Sequence, residues 1–244
     1  MKQARKIILE GRTKELCVEE KTSRCDLVTN VDKFIEKFYV DRIRETFPNS
    51  KILGEEGEAD KDLDNFKGLL WIIDPIDGTM NFVKQHDHFA SMIAVCENGI
   101  EKLGYILDVT EDKLYWGGPE CGVFCNDQKV EPPKNLPLEE GLFGVGGKML
   151  LSNYRNVQSA AKKSLGVRIY GSSGIEFIHV LTGKNVSYLS HLRPWDYAAG
   201  KILAEARGLV VKTIDEESLD MLSSSDVLVA TKNAHQGIVK LMNS

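Results

Sequence analysis

The stretch WIIDPIDGTMNF, residues 71–82, runs an apolar segment straight into two carboxylates. Asp74 and Asp77 are separated by Pro75 and Ile76 and followed by Gly78 and Thr79. Like charges at that spacing repel, so a compensating partner is expected. Trp71-Ile72-Ile73 reads as the end of a buried strand, which puts Asp74 at the C-terminal edge where sites form in α/β sheets. Pro75 fixes φ and removes a donor, making the turn rigid. Gly78 lets backbone come close to a ligand. A helix starting at Thr79 would aim the amides of Gly78 and Thr79 at an anion such as phosphate. Two carboxylates beside an anion site make sense with hard cations between them, because Mg²⁺ shares its oxygen ligands among carboxylates, waters and phosphate oxygens. Two such ions would activate a water and stabilise a leaving oxygen.

Three further places put carboxylates near an element boundary. Glu55 and Glu56 follow Gly54 after a short strand, Asp196 stands in RPWDYAAG at a helix start, and Asp32 lies in DLVTNVD. Each alone has an ordinary account, as a solvated loop or a helix N-cap.

The elements that must position these groups are predicted as follows. Residues 1–20 read as a helix interrupted at Gly11, and 26–47 as a second helix with Asp26 and Thr29 offering caps and Pro48 ending it. Strands are expected at 51–53, 69–73, 90–97 and 102–108, the last two joined across Asn98-Gly99, a strong hairpin signal. Strands at 113–116 and 122–124 extend that meander. EPPKNLPLEE, residues 131–140, carries three prolines and reads as a connection between lobes. Beyond it, strands at 142–145 and 167–169 alternate with helices at 153–163, 173–181 and 196–206. The pattern is a layered α/β or α+β protein of two mixed lobes, 1–137 and 138–244.

Composition narrows the partners. The 244 residues are 42% hydrophobic and 27% charged, ordinary for a globular protein. A net charge of −5 weighs against nucleic-acid binding. No apolar run is long enough for a membrane span, and the charged N-terminus is not a secretory signal. Cys17, Cys25, Cys96, Cys121 and Cys125 are odd in number and fit no zinc spacing, so reduced thiols in a cytoplasm are expected. His86 and His88 flank Asp87, but Mg²⁺ chemistry does not need imidazole.

DPIDGTMNF resembles the D-P-[ILV]-D-G-T-x-N-F motif of the inositol monophosphatase family of Mg²⁺-dependent, Li⁺-sensitive sugar phosphatases. GEE at 54–56, WDYAAG at 195–200 and DLVTNVD at 26–32 match further family elements in order. The resemblance covers nearly the whole chain. It implies a sugar-phosphatase-type αβαβα sandwich and a Mg²⁺-dependent phosphomonoesterase acting on a small polyol or sugar phosphate such as inositol 1-phosphate, with two or three Mg²⁺ ions and a homodimer. By resemblance, Glu55, Asp74, the carbonyl of Ile76 and the hydroxyl of Thr79 bind a first ion, which Asp74 shares with a second. Asp77 and Asp196 complete the second, and a weaker third shares Glu55 and Asp77. Glu55, Thr79 and Asp32 would be catalytic, with Thr79 hydrogen-bonded to Asp32 and activating water. Asp77, Gly78, Thr79, Gly171, Ser172, Ser173 and Asp196 would contact the substrate. Lys21 corresponds to a family lysine in a mobile loop, with either a role at the metal site or none.

One family feature is missing. Inositol-preferring members have a glutamate seven residues before the WD aspartate, and here that position is Leu189, with His191 and Arg193 nearby. This departure raises a nucleotide phosphatase as an alternative, acting on the 2′-phosphate of NADP or on 3′-phosphoadenosine 5′-phosphate. A non-enzymatic regulator binding RNA or a transcription factor is a second alternative, disfavoured because Glu55, Asp74, Asp77 and Asp196 are all present.

Overall fold

Apolar alternation between residues 51 and 129 builds one large sheet. The computed structural model describes residues 1–12, 16–24, 26–57, 60, 63 and 66–243, and Cys25 lies outside them. The chain opens with helix α1 (Lys2–Gly11), a two-stranded antiparallel pair β1 (Val18–Ser23) and β2 (Asp26–Thr29), and helix α2 (Asn30–Thr46). Seven strands follow: β3 (Lys51–Gly54), β4 (Leu69–Asp77), β5 (Ala90–Glu97), β6 (Ile100–Asp108), β7 (Lys113–Gly118), β8 (Gly122–Cys125) and β9 (Gln128–Lys129), lying side by side in chain order. The short helix α3 (Thr79–Lys84) sits between β4 and β5. Only β3 and β4 run parallel in this sheet. Asn98 and Gly99 both take positive φ in the β5–β6 turn, as a two-residue hairpin of the primed type requires.

The second sheet is mixed. It contains β10 (Leu142–Val145), β11 (Gly166–Arg168), β12 (Ser187–Leu192), β13 (Val210–Thr213) and β14 (Ser225–Ala230), in the order β11-β10-β12-β14-β13. Around it lie α4 (Gly147–Leu151), α5 (Val157–Lys163), α6 (Ser173–Leu181), α7 (Pro194–Glu205) and α8 (Lys232–Met242).

Three apolar cores fix the layering. The first joins Ala4, Ile8, Ile35 and Tyr39 of α1 and α2 to Ile73, Ile93 and Leu107 on one face of the large sheet. The second joins the other face, through Ile72, Met92 and Ile106, to Phe177 of α6, Ile202 and Leu203 of α7, and Tyr188 and Val229 of the second sheet. The third covers the far face of that sheet, through Phe143, Leu189 and Leu228, with Val157 of α5 and Ile238 of α8. The result is an αβαβα sandwich with α6 and α7 as its central layer.

Several predicted boundaries move. The first helix stops at Gly11 and residues 18–23 are strand. The second begins at Asn30, because residues 26–29 pair with β1 and Thr29, not Asp26, is the N-cap. The helix expected from 153 begins at Val157, since Asn153, Arg155 and Asn156 have positive φ, which breaks a right-handed helix. The helix carrying Asp196 starts two residues early, with Pro194 at its first position, where its missing N–H costs nothing.

Candidate active site

The end of β4 and the starts of α3, α6 and α7 converge. The β4–β5 register slips between Asp74 and Asp77, so the strand swings out of the ladder at Pro75 and Ile76 and turns both aspartates toward one corner. Gly78 closes the turn at φ +88°, and a side chain there would also meet Ser172 at 2.9 Å. Thr79 then opens α3.

Carboxylate oxygens of Asp74, Asp77 and Asp196 all lie within 4.8 Å of one another. Burial raises Asp74 well above the ordinary carboxylate range, and the charges of Glu55, Asp77 and Asp196 push it further. Burial and Asp77 push Asp196 up to about 8. Burial raises Asp77 too, opposed by hydrogen bonds from Ser172, Gly174 and Ser173. One oxygen of Asp74, Oδ1, is buried with no hydrogen-bond partner. The buried Asp74 and Asp77 and the partly buried Asp196, mutually repelling and with one orphaned acceptor, form the donor set of a hard divalent cation such as Mg²⁺, and they can hold metal ions.

Asp77 is clamped from across the molecule. The Gly174 amide donates to its Oδ2 at 2.7 Å, the Ser173 amide and hydroxyl donate to Oδ1 at 3.1 and 2.8 Å, and the Ser172 hydroxyl also donates to Oδ2. Ser172 is at the same time the N-cap of α6. Asp196 Oδ2 accepts from the Arg193 amide at 2.8 Å, fixing it in the first turn of α7.

Thr79 Oγ1 lies 3.1 Å from Asp32 Oδ1 and 3.0 Å from the Ile76 carbonyl. The Thr29 amide and hydroxyl hold the other oxygen of Asp32. Burial raises Asp32 to about 6 against those hydrogen bonds.

Glu55 adjoins the aspartate triplet, close enough for its charge to raise both Asp74 and Asp196. Lys21 Nζ sits 2.9 Å from Glu55 Oε1 and 2.6 Å from Glu56 Oε1. Burial opposes the charge of Lys21, but the two glutamates keep its pKa raised. Lys21 belongs to strand β1 and not to a loop. Sequence reasoning passed over Glu36, whose carboxylate accepts from the Glu56 amide at 2.8 Å and occupies the space a side chain at Gly54 would need. That close approach is why the turn carrying Glu55 begins with glycine.

A cleft of about 320 Å³ opens beside the aspartates, lined on one side by Gly171, Ser172 and Ser173 and on the other by Tyr188 and Ser190. Leu189 does not line it. Side chains alternate along β12, so Leu189 is fully buried in the outer core while Ser190 faces the cleft. His191 lies at the cleft rim, with Nδ1 2.7 Å from Asp226 Oδ1. Arg193 points elsewhere, with its guanidinium 5.7 Å from the centre of the Trp195 ring. Both belong to the end of a strand and the helix cap after it, not to a loop. Glu176 was also missed. It lines the cleft, and burial pushes its carboxyl up to about 8.

A sandwich of this topology with an acidic cation corner at the strand ends defines a metal-dependent phosphatase. The sequence profile of the inositol monophosphatase family matches residues 1–244. Inositol-1-monophosphatase of Bacillus subtilis (strain 168) is 41% identical over 236 residues, 95% of this chain and 89% of the relative. Among solved structures, an IMPase/NADP phosphatase complexed with Mg²⁺ and phosphate superposes with a TM-score of 0.93 at 32% identity, covering 100% of this chain and 92% of the other. A dual-specific IMPase/NADP phosphatase bound with D-inositol-1-phosphate gives 0.91 at 31%, with the same coverage. The chain belongs to the inositol monophosphatase family and is a phosphoric monoester hydrolase.

Proposed function

We propose that the protein hydrolyses a small polyol or sugar phosphate, such as inositol 1-phosphate, to the alcohol and inorganic phosphate with the help of two or three Mg²⁺ ions. The observation that carries this reading is the close triplet of Asp74, Asp77 and Asp196 with the buried, unpartnered Oδ1 of Asp74. In this reading Asp74, Asp77 and Asp196 hold metal together with Glu55 and the Ile76 carbonyl. When bound, the ions neutralise the phosphate and supply an activated water. Thr79 receives the water's proton through its hydroxyl and relays toward Asp32 Oδ1, 3.1 Å away. The amides of Gly78 and Thr79 hold phosphate oxygens at the start of α3. The Gly171–Ser173 loop keeps Asp77 aimed while the alcohol occupies the cleft toward Ser190. Positioning and charge stabilisation suffice for phosphoryl transfer, so no covalent intermediate is required.

A second reading, a nucleotide phosphatase acting on the 2′-phosphate of NADP or on 3′-phosphoadenosine 5′-phosphate, is favoured by Ser190. No acid faces the cleft at that strand position to select polyol hydroxyls. The likeness to dual-specific IMPase/NADP phosphatase structures supports it as well.

Phosphate release from inositol 1-phosphate, fructose 1,6-bisphosphate, NADP and 3′-phosphoadenosine 5′-phosphate, with and without Mg²⁺, tests both. Mg²⁺-dependent release from inositol 1-phosphate supports the first reading, selective release from the nucleotides supports the second, and no release from any of the four overturns both. The same reading takes residues 1–137 and 138–244 as the two lobes, the first carrying the DPIDGT turn and the second the WD aspartate. It takes the enzyme as a cytoplasmic homodimer, which light scattering in solution checks. Among the described residues no helix is long and apolar enough to cross a membrane.

A further inference from the structure

The DPIDGTMNF stretch holds one polar residue that the site described above leaves unused. Asn81 follows Thr79 by two residues, and only 6% of it is exposed. Its side-chain Nδ2 donates to the His88 carbonyl at 2.8 Å and to the Tyr170 carbonyl at 2.7 Å, the second lying 89 residues away in the chain. Both partners are carbonyl oxygens, so they fix which end of the amide faces them, and both of its N–H groups are used.

The three segments joined by this amide are those that build the metal corner. Asn81 belongs to α3, directly after the Gly78 turn, His88 leads into β5, and Tyr170 leads into the Ser172–Gly174 clamp on Asp77. The segments meet closely. A Cβ at Gly78 would lie 3.3 Å from the Gly171 carbonyl oxygen and 3.4 Å from that of His88. The His88 and Tyr170 rings stack, with centroids 5.5 Å apart and planes 19° from parallel. The next residue repeats the link to β5, since the Phe82 ring meets Phe89 edge-on at 5.2 Å. Tyr170 is held on both sides, its carbonyl by Asn81 and its amide by Glu176 Oε1 at 3.0 Å. Gly171 follows at φ +75°, so whatever fixes Tyr170 sets the direction in which the chain enters the clamp.

We propose that Asn81 is a positioning residue for metal binding: it ties the Gly78 turn to the Gly171 loop and so keeps the Ser172, Ser173 and Gly174 donors on Asp77. The proposal rests on the metal-dependent phosphatase reading above, and it gives Asn81 no contact with substrate or metal. Without the amide, the His88 and Tyr170 carbonyls lose their donor. The loop can then turn at Gly171 away from α3 and carry its donors off Asp77. The aspartate keeps its charge but no longer has its lone pairs aimed at the cation, which is how an outer partner of a metal ligand acts.

The test is a double-mutant cycle between Asn81→Ala and Ser173→Ala, read by calorimetric binding of Mg²⁺ and by phosphate release at varied Mg²⁺. Asn81→Ala should melt below wild type, because two carbonyls are left unpaired. At a temperature where it is folded it should bind Mg²⁺ about tenfold more weakly, the low end of what an outer partner of a metal ligand contributes. Both residues act through one clamp, so the double variant should bind no more than about twofold more weakly than the weaker single variant. Independent effects would instead multiply to about a hundredfold. A lower melting point with unchanged Mg²⁺ affinity makes Asn81 purely structural and overturns the proposal. A hundredfold loss in the double variant overturns the route through Asp77. Asn81→Ser, which leaves a hydroxyl in place of the amide, carries the same cycle if the alanine variant does not fold. If wild type releases no phosphate while the cycle in Mg²⁺ binding holds, the positioning role stands and the catalytic reading falls; a wild type that binds no Mg²⁺ overturns both.

Discussion

Ser173 donates twice to Asp77, through its amide at 3.1 Å and its hydroxyl at 2.8 Å, although 96 residues separate them in the chain. The pair ties the start of α6 to the end of β4 and sets which way the aspartate's lone pairs point. Removing an outer partner of a metal-binding carboxylate typically costs about 10–100-fold in metal affinity or activity. Ser173→Ala should therefore raise the Mg²⁺ concentration for half-maximal phosphate release about tenfold, while circular dichroism and melting stay close to wild type because Ser172 and Gly174 still hold Asp77. An unchanged Mg²⁺ response would separate Asp77 from metal binding.

Asp74 couples function against stability. Its burial and the charges around it make the ionised carboxyl unfavourable without a cation. Asp74→Asn keeps the shape and removes that charge. Turnover should drop about 10³-fold or more, since the cations supply several kcal/mol of charge stabilisation. In a chelator the variant should melt no lower than wild type, and added Mg²⁺ should stabilise wild type more than the variant. Calorimetric melting with and without Mg²⁺ checks both, and a variant that melts well below wild type in chelator would contradict the electrostatic account.

The acidic turn was legible because its chemistry is local. Asp74, Asp77, Gly78 and Thr79 fall within six residues, and the apolar run ahead of them marks the strand that delivers them. Asn98-Gly99 was legible for the same reason, since two adjacent residues tolerant of positive φ specify the turn. What failed was whatever long-range pairing decides. Residues 26–29 are strand because β1 lies against them, and nothing in DLVT says so against the helical pattern that follows. Strands β12, β13 and β14 and helix α8 went unread, their short apolar runs being ambiguous without partners. The seven-residue count back from Asp196 reached Leu189. A two-residue period along β12 would have shown that Ser190 shares a face with Tyr188 and Leu192.

Glu176 should make stability fall with rising pH. Burial raises its carboxyl from the ordinary 4.5 to about 8, with hydrogen bonds from the Tyr170 amide and Asn185 opposing the shift. Between those values the folded protein holds a proton that the unfolded chain has released. The unfolded state then binds fewer protons, and the stability of the protonated form is lost as pH climbs through the folded value. Glu176→Gln removes the dependence. Asn185 Oδ1 is buried without a partner, and the new amide can donate to it once the Asn185 amide turns over. Urea unfolding in chelator at about pH 6 and about pH 8 should show the variant gaining on wild type by on the order of 2–3 kcal/mol across that interval. Parallel pH profiles would mean that Glu176 is ionised throughout.

Two glycines in helices separate packing from propensity. Gly200 of α7 faces α6, and a Cβ there would lie 2.3 Å from the Phe177 ring. Phe177 is fully buried in the central core and has no room to retreat. Gly200→Ala should cost about 1–3 kcal/mol by overpacking. Because α7 carries Asp196 and α6 begins at the clamp on Asp77, forcing the helices apart should also weaken the response to Mg²⁺. Gly237 lies in the interior of α8, and a methyl group added there would meet nothing within 4 Å. Gly237→Ala should instead stabilise by about 0.4–1 kcal/mol, since alanine loses less backbone freedom on folding. Urea midpoints moving in opposite directions, with the Mg²⁺ response altered only for Gly200→Ala, would tie the α6–α7 contact to the geometry of the metal corner; a Gly200→Ala protein of unchanged stability and Mg²⁺ response would break that link.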